Sequence, residues 1–184
     1  MTRWLGISLV VIILDQITKY VANAQLVYAE PLPLLPSFNL TLLYNRGAAF
    51  SFLSDAGGWQ RWFFVTISFL AAILLTMWLR RLKSEQWALA LALSLVIGGA
   101  VGNLVDRLWL GYVIDFIQLY YKNFFWPAFN VADSAITVGA VLLVWDGVFA
   151  NRRDPGWAAS LCRTRCKYVP VRSTAASLLP TVLQ

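Results

Sequence analysis

The sequence predicts an all-α membrane protein of four transmembrane helices, with both termini cytoplasmic and a small β-cradle on the outer side of the membrane. Of its 184 residues, 59% are hydrophobic and 13% are charged, whereas a soluble domain is about half apolar and a quarter charged. The apolar residues are concentrated in four long runs. Three of these runs approach the ~20 residues that cross about 30 Å of hydrocarbon.

The four apolar runs predict helices at about 4–24, 62–79, 87–105 and 128–148. The second and third runs contain no charged residue. The first run resembles a cleavable signal peptide, but Asp15, Gln16 and Lys19 interrupt it. A signal peptide is most uniformly apolar at that point. We therefore expect a retained helix.

Lysine and arginine residues set the predicted orientation. With a cytoplasmic N-terminus, ten basic residues lie on the inner side and five on the outer side or at the outer helix ends. Loops next to transmembrane helices carry more Lys and Arg on the cytoplasmic side, so both termini are predicted to be cytoplasmic. The net charge of +6 is explained by this topology, and no nucleic-acid partner is expected.

The outer connection at about 28–60 is predicted to form the β-cradle. Three prolines between residues 31 and 36 exclude a helix. Residues that favour strands alternate partially around Asn45-Arg46-Gly47, which indicates a short strand pair. The second outer connection, 106–127, joins the third helix to the fourth. Residues 1–150 are expected to form a single membrane domain.

The remaining segment, 151–184, is expected to be a disordered, basic, cytoplasmic tail because it loses periodicity and gains Pro, Ser and basic residues. The chain has no histidine, which excludes Ser-His-Asp triads, Cys-His dyads and H-E-x-x-H zinc sites. Its two cysteines, Cys162 and Cys166, do not complete a zinc site by themselves and are expected to be spare thiols. No metal and no cofactor are predicted.

Two aspartates stand in strongly apolar surroundings, Asp115 in GYVIDFIQL and Asp133 in FNVADSAITVG. A carboxylate at mid-membrane costs ~2.5–3.5 kcal/mol on insertion scales. In the predicted topology both lie near the outer boundary. Two carboxylates held close together share a proton, because ionisation of one disfavours ionisation of the other. The pair therefore predicts aspartic-protease chemistry, in which one carboxylate activates water and the other polarises the scissile carbonyl.

Other interpretations of the polar residues remain open. Asp15 and Lys19, four residues apart on a helix, could neutralise one another, and Asp106 with Arg107 could form an ordinary interfacial ion pair. A small proton-coupled membrane transporter would also place aspartates within the membrane. That alternative favours internal repeats and polar residues across the whole membrane depth, and neither pattern is present in the sequence.

The sequence resembles the lipoprotein signal peptidases, the bacterial signal peptidase II family, in five segments that occur in the family's order. These segments are LDQITKY (14–20), YNRGAAFSFL (44–53), GGAVGNLVDRL (98–108), GYVIDFI (111–117) and FNVADSAITVG (129–139). The resemblance implies that Asp115 and Asp133 are the catalytic dyad. It also implies a supporting set that lines or braces the site: Asp15, Lys19, Asn45, Gly47, Gly99, Asn103, Arg107 and Asn130.

The resemblance further implies the substrate and the location. Family members are aspartic endopeptidases that remove the signal peptide from prolipoproteins, cutting just before a diacylglyceryl-modified cysteine. They are multi-pass proteins of the bacterial inner membrane, with the active site at the periplasmic face. For this chain, the resemblance implies three kinds of partner: lipidated prolipoproteins, membrane lipids and globomycin-type peptide inhibitors.

Overall fold

The fold consists of four long helices and a small sheet in a computed structural model that describes residues 2–47 and 58–149. The helices are α1 (Thr2–Gln25), α2 (Trp59–Arg81), α3 (Trp87–Trp109) and α4 (Val131–Phe149). Each is long and apolar enough to span a membrane. The prediction of four transmembrane helices is therefore confirmed. The predicted tail, with Cys162 and Cys166, and the part of the predicted cradle at 48–57 lie outside the described residues.

The helix ends differ from the predicted ones where polar residues intervene. Helix α3 continues to Trp109 instead of ending near 105, because Asp106 and Arg107 remain helical: the Leu110 N–H donates to the Asp106 carbonyl at 2.7 Å. Helix α4 begins at Val131, three residues later than predicted.

Helix α3 is the central helix of the bundle. Of the residues in its most apolar stretch, 67% are buried, whereas the corresponding share is between 6% and 28% in the other three helices. Glycines permit this packing because they let neighbouring backbones approach closely. A Cβ atom at Gly99 would collide with the Ala132 carbonyl oxygen of α4, and one at Gly102 would lie 2.7 Å from a carboxylate oxygen of Asp15. Both α1 and α4 are thus held against the C-terminal half of α3.

The small sheet has four antiparallel strands in the order β1-β2-β3-β4. They are β1 (Leu32–Leu35), β2 (Phe38–Asn45), β3 (Val113–Tyr121) and β4 (Phe124–Phe125). The predicted cradle accounts for β1 and β2 only. The other half of the sheet comes from the connection between α3 and α4, for which the sequence predicts no strand.

The pairing of β2 with β3 brings the α1–α2 and α3–α4 connections together. Leu43 lies opposite Asp115, and Asn45 lies opposite Val113. Strand β2 ends at Asn45 and pairs with β1 and β3. Neither partner belongs to the strand pair that the sequence predicts around Asn45-Arg46-Gly47. This register places the end of β2 next to Asp115.

Candidate active site

Asp115 on β3 and Asp133 in the first turn of α4 line the same cavity, whose volume is about 360 Å³. Asn45, Asn103 and Arg107 contribute the other main polar groups of its wall. The rest of the wall is largely apolar: Val113, Trp126, Pro127, Ala128, Phe129, Ile136 and Thr137. The cavity thus joins two carboxyl groups to an apolar chamber.

Asp115 is only 3% exposed, and both of its carboxylate oxygens accept hydrogen bonds. Asn45 Nδ2 donates to Oδ2 at 3.0 Å, and Asn130 Nδ2 donates to Oδ1 at 2.7 Å. Burial of the carboxylate, followed by repulsion from Asp133, raises the pKa of Asp115 from 3.8 to about 7. The two asparagines and Lys19 act in the opposite direction but do not offset this rise. Near neutral pH, Asp115 is therefore able to hold a proton.

Asp133 is fixed by the start of its own helix. Its backbone N–H donates to Asn130 Oδ1 at 2.9 Å, and the Asn130 N–H donates back to Asp133 Oδ2 at 3.2 Å. This reciprocal arrangement is that of a capping box, with Asn130 as N-cap and Asp133 as the third helical residue. Asn103 Nδ2 donates to the other carboxylate oxygen at 2.7 Å. The cap thus explains both the start of α4 at Val131 and the orientation of the carboxylate.

Three asparagines from three different elements hold the dyad. Asn45 is the last residue of β2, Asn103 lies in α3, and Asn130 directly precedes α4. Asn130 is fully buried, and its amide also lies 3.3 Å from Asn103 Oδ1 and 3.3 Å from the Ile114 carbonyl. Each aspartate therefore receives one amide donor from a neighbouring element and one donor from Asn130.

A buried charge cluster lies behind the dyad. Lys19 is 1% exposed, and its Nζ lies 2.7 Å from Asp15 Oδ2, 2.8 Å from Asp106 Oδ2 and 2.9 Å from Asn103 Oδ1. Asp15 Oδ1 accepts a hydrogen bond from the Ala132 N–H of α4 at 2.9 Å. The cluster therefore connects α1, α3 and α4 at the level of the site.

Asp106 is also a member of this cluster. The interpretation of Asp106 and Arg107 as an interfacial pair is wrong, because Asp106 is 3% exposed and pairs with Lys19. Gln16 also belongs here, since its Nε2 donates to Asp106 Oδ1 at 2.9 Å. One signal was available: Asp106 follows Asn103 by three residues and so shares its helix face.

Arg107 and Gly47 link α3 to the segment that follows β2. The guanidinium of Arg107 donates to the carbonyls of Gly47 and Asn103, both at 3.4 Å, and lies 5.1 Å from the centre of the Phe64 ring. The Gly47 N–H donates to Asn45 Oδ1 at 3.0 Å, which turns the Asn45 amide nitrogen toward Asp115.

The structure therefore brings nine of the ten predicted site residues into one network around the cavity. The tenth, Gly99, lies behind the site, where it lets α3 pack against α4. Among the residues at 2–47 and 58–149, no group of three or more His, Cys, Asp or Glu side chains is placed to hold a metal ion.

Comparisons with known proteins agree with the motif resemblance. The family model described as signal peptidase (SPase) II matches residues 7–149. The lipoprotein signal peptidase of Acinetobacter baumannii is 55% identical over 152 residues, covering 83% of this chain and 86% of the relative. That of Teredinibacter turnerae is 55% identical over 150 residues, covering 82% and 89%.

Two solved structures, both described as bacterial membrane enzymes, share the fold. One, at 2.3 Å resolution, has a TM-score of 0.70 and 28% identity and covers 94% of this chain and 96% of its own. The other, at 1.9 Å, has a TM-score of 0.70 and 30% identity, with coverages of 81% and 94%. With the family model matched across all four helices and both strands that flank the cavity, this chain belongs to the lipoprotein signal peptidase (signal peptidase II) family.

Proposed function

We propose that this protein is an aspartic endopeptidase that removes the signal peptide of prolipoproteins by cleaving just before the diacylglyceryl-modified cysteine. Membership of the family supports signal-peptide removal from prolipoproteins. The observation that carries the aspartic mechanism is the shared cavity of Asp115 and Asp133, in which burial raises the pKa of Asp115 to about 7.

In the proposed reaction, Asp115 holds the proton and Asp133 is the base. The first turn of a helix favours a negative charge, and Asn103 holds the Asp133 carboxylate in place. Asp133 takes a proton from water as the water oxygen bonds to the scissile carbonyl carbon, while protonated Asp115 donates a hydrogen bond to the carbonyl oxygen. The tetrahedral intermediate then breaks its C–N bond as a carboxyl proton passes to the leaving amine.

The position of the cavity suits a lipid-anchored substrate. Asp133 lies in the first turn of α4, one of the four candidate membrane spans. A substrate whose acyl chains remain in the bilayer presents its peptide bond near the membrane boundary. With the Lys and Arg distribution, we propose a protein of the bacterial inner membrane whose site opens at the periplasmic face.

The decisive assay uses the purified protein and a prolipoprotein with and without its diacylglyceryl group. We expect cleavage just before the cysteine of the lipidated precursor only, and inhibition by globomycin. Cleavage elsewhere, or equal cleavage of the unlipidated precursor, would contradict the proposal. The transporter alternative is not favoured, because the buried charges among the described residues lie in or directly beside the site: Asp15, Lys19, Asp106 and Asp115.

The pH dependence of cleavage should have a basic limb close to neutrality. Because the pKa of Asp115 is raised to about 7, the proton that polarises the carbonyl is lost as the pH rises through that value. We therefore expect kcat/KM to fall on the alkaline side of neutrality, with the apparent pKa belonging to the coupled pair. Activity that stays level far above neutral pH would show that Asp115 is not the proton-holding member.

Arg107→Ala should lower kcat/KM and move the acid limb of the same profile to higher pH. The guanidinium faces the cavity, and a nearby cation favours the ionised state of a carboxylate. Arg107→Lys should rescue only part of the activity, because an ammonium does not reproduce the fork that reaches the carbonyls of both Gly47 and Asn103. An unchanged pH profile in Arg107→Ala would leave this arginine with the purely structural role of joining α3 to Gly47.

A further inference from the structure

The chain between the two aspartates carries a hairpin with an aromatic tip. Strand β3 continues past Asp115 to Tyr121, and β4 returns antiparallel to it, with Tyr120 opposite Phe125 and Tyr121 opposite Phe124. The first turn residue, Lys122, has φ 53°, in the left-handed region that non-glycine residues seldom adopt. The hairpin is therefore a defined structural feature, and its turn is tight.

The strand residues that flank the polar turn Lys122-Asn123 expose large apolar rings. Tyr121 is 69% exposed, Phe124 60% and Phe125 52%. The rings are ordered relative to one another: Phe125 stacks on Tyr120 with centroids 5.6 Å apart, and Lys122 Nζ lies 5.5 Å from the centre of the Tyr121 ring. Because Tyr121 and Phe124 are cross-strand partners, their exposed rings lie on one face of the hairpin, and exposed apolar groups clustered in this way mark an interaction surface.

The chemistry and position of the tip favour a lipid partner. Aromatic residues with a neighbouring cation are typical of the membrane–water interface, where rings lie among the headgroups and a lysine reaches the phosphates. Only residues 126–130 separate β4 from α4, a candidate membrane span. The hairpin is thus tied closely to the point where the chain enters the bilayer.

Because β3 is long, the direction of the hairpin decides whether its rings lie at the membrane or in water. Six residue steps separate Asp115 from Tyr121, a distance of roughly 20 Å at ~3.3 Å per residue. A hairpin directed away from the membrane would hold its rings far out in water. A hairpin that lies along the membrane plane brings the same rings to the lipid and keeps Asp115 at one height.

We propose that the hairpin Tyr120–Phe125 inserts its aromatic tip into the interface of the outer leaflet and thereby fixes the height of Asp115 relative to the bilayer. The insertion stands on the exposure and placement of the tip alone. Its consequence for cleavage rests on the proposed function, because only a substrate anchored by its own acyl chains requires a dyad at a fixed height.

The insertion is tested by measuring the depth of a spin label at Phe124→Cys, with Cys162 and Cys166 replaced by Ser and the full chain in phosphatidylcholine–phosphatidylglycerol vesicles. We expect the label to be accessible to oxygen and protected from a water-soluble nickel chelate. The control is a label at Ser84→Cys, in the exposed loop between α2 and α3, which should be open to the chelate when the chelate is present on both sides of the bilayer. Equal access at both sites would overturn the proposal and point to an aqueous or protein-binding tip.

The proposed effect of the hairpin on the height of Asp115 is tested by comparing Tyr121→Ser/Phe124→Ser with the matched Tyr121→Leu/Phe124→Leu, which keeps an apolar tip. In vesicles, cleavage of a lipidated precursor by the Ser variant should fall about tenfold, since small displacements at an active site are costly. In detergent, where no fixed bilayer height exists, both variants should resemble wild type. If the Ser variant cleaves as well as wild type in vesicles, or loses as much activity in detergent as in vesicles, the hairpin does not set the height of Asp115. If the wild-type protein cleaves no prolipoprotein, the proposed function fails while the label depth remains readable.

Discussion

Replacing either Asp115 or Asp133 by asparagine is expected to abolish cleavage of a lipidated prolipoprotein. The loss in kcat/KM should be on the order of 10²–10⁴-fold or more, because general acid–base catalysis contributes a factor of that size. Asparagine is nearly isosteric with aspartate but neither takes a proton from water nor shares one with its neighbour. The measurement is steady-state cleavage by each purified variant. The matched control is Asp146→Asn, which alters an aspartate of the same helix that lies outside the cavity wall. Wild-type turnover in either dyad variant would refute the assignment.

The stability of the Asp115→Asn variant separates a catalytic from a structural role. The pKa of Asp115 is raised from 3.8 to about 7, so between these values the folded protein holds a proton that the unfolded chain has lost. The free energy of unfolding of the wild type therefore falls as the pH rises through this window. The Asp115→Asn variant does not titrate here, so its free energy of unfolding does not fall in this way. Its amide nitrogen, however, takes the place of one carboxylate oxygen and faces the amide donor of Asn45 or Asn130.

We accordingly expect the unfolding temperature of Asp115→Asn to lie slightly below that of wild type in acid and level with it or above it once the pH exceeds about 7. Thermal unfolding in detergent across this range measures the difference. A large loss of stability at alkaline pH would indicate that the carboxylate supports the fold rather than the reaction.

The helices could be predicted from the sequence because their signal is local. Each apolar run is long enough by itself to require a helix in lipid. The ends at 105 and 128 were misplaced because capping depends on side-chain geometry. At the start of α4, the spacing of Asn130 and Asp133 matches a capping box, whose two hydrogen bonds the structure shows.

Strand β3 could not be predicted because its signal is not local. Residues Val113–Phe116 are all buried, so they form a short, nearly continuous apolar run that lacks the alternation of a half-buried strand. Its partner β2 lies some 70 residues earlier, as the bond from Asn45 to Asp115 shows. Asp106 was misassigned for a similar reason, since its partner Lys19 is on another helix. The aspartates of the site could be found from the sequence, but the surroundings that set their ionisation required the tertiary structure.

Lys19→Met is expected to give the largest loss of stability of any substitution in the supporting set, about 3–5 kcal/mol in the free energy of unfolding. Lys19 is the only cation within 4.0 Å of Asp15 and Asp106 in the described part of the chain. Removing it leaves two buried carboxylates beside one another, and the desolvation of an unpaired buried charge is costly. Thermal unfolding should show the loss, whereas Lys83→Met, in the exposed loop between α2 and α3, should change little.

The double variant Lys19→Met/Asp106→Asn tests the reason for that loss. Neutralising Asp106 removes one of the two unpaired charges, and the remaining carboxylate of Asp15 keeps the Ala132 N–H as a donor. Part of the lost stability should therefore return, which a simple loss of side-chain packing around Lys19 would not allow. The activity should recover less than the stability, because Asn103 still lacks the ammonium that holds its Oδ1, and Asn103 is the residue that orients Asp133. Equal destabilisation in the single and double variants would show that Lys19 acts through packing and not through its charge.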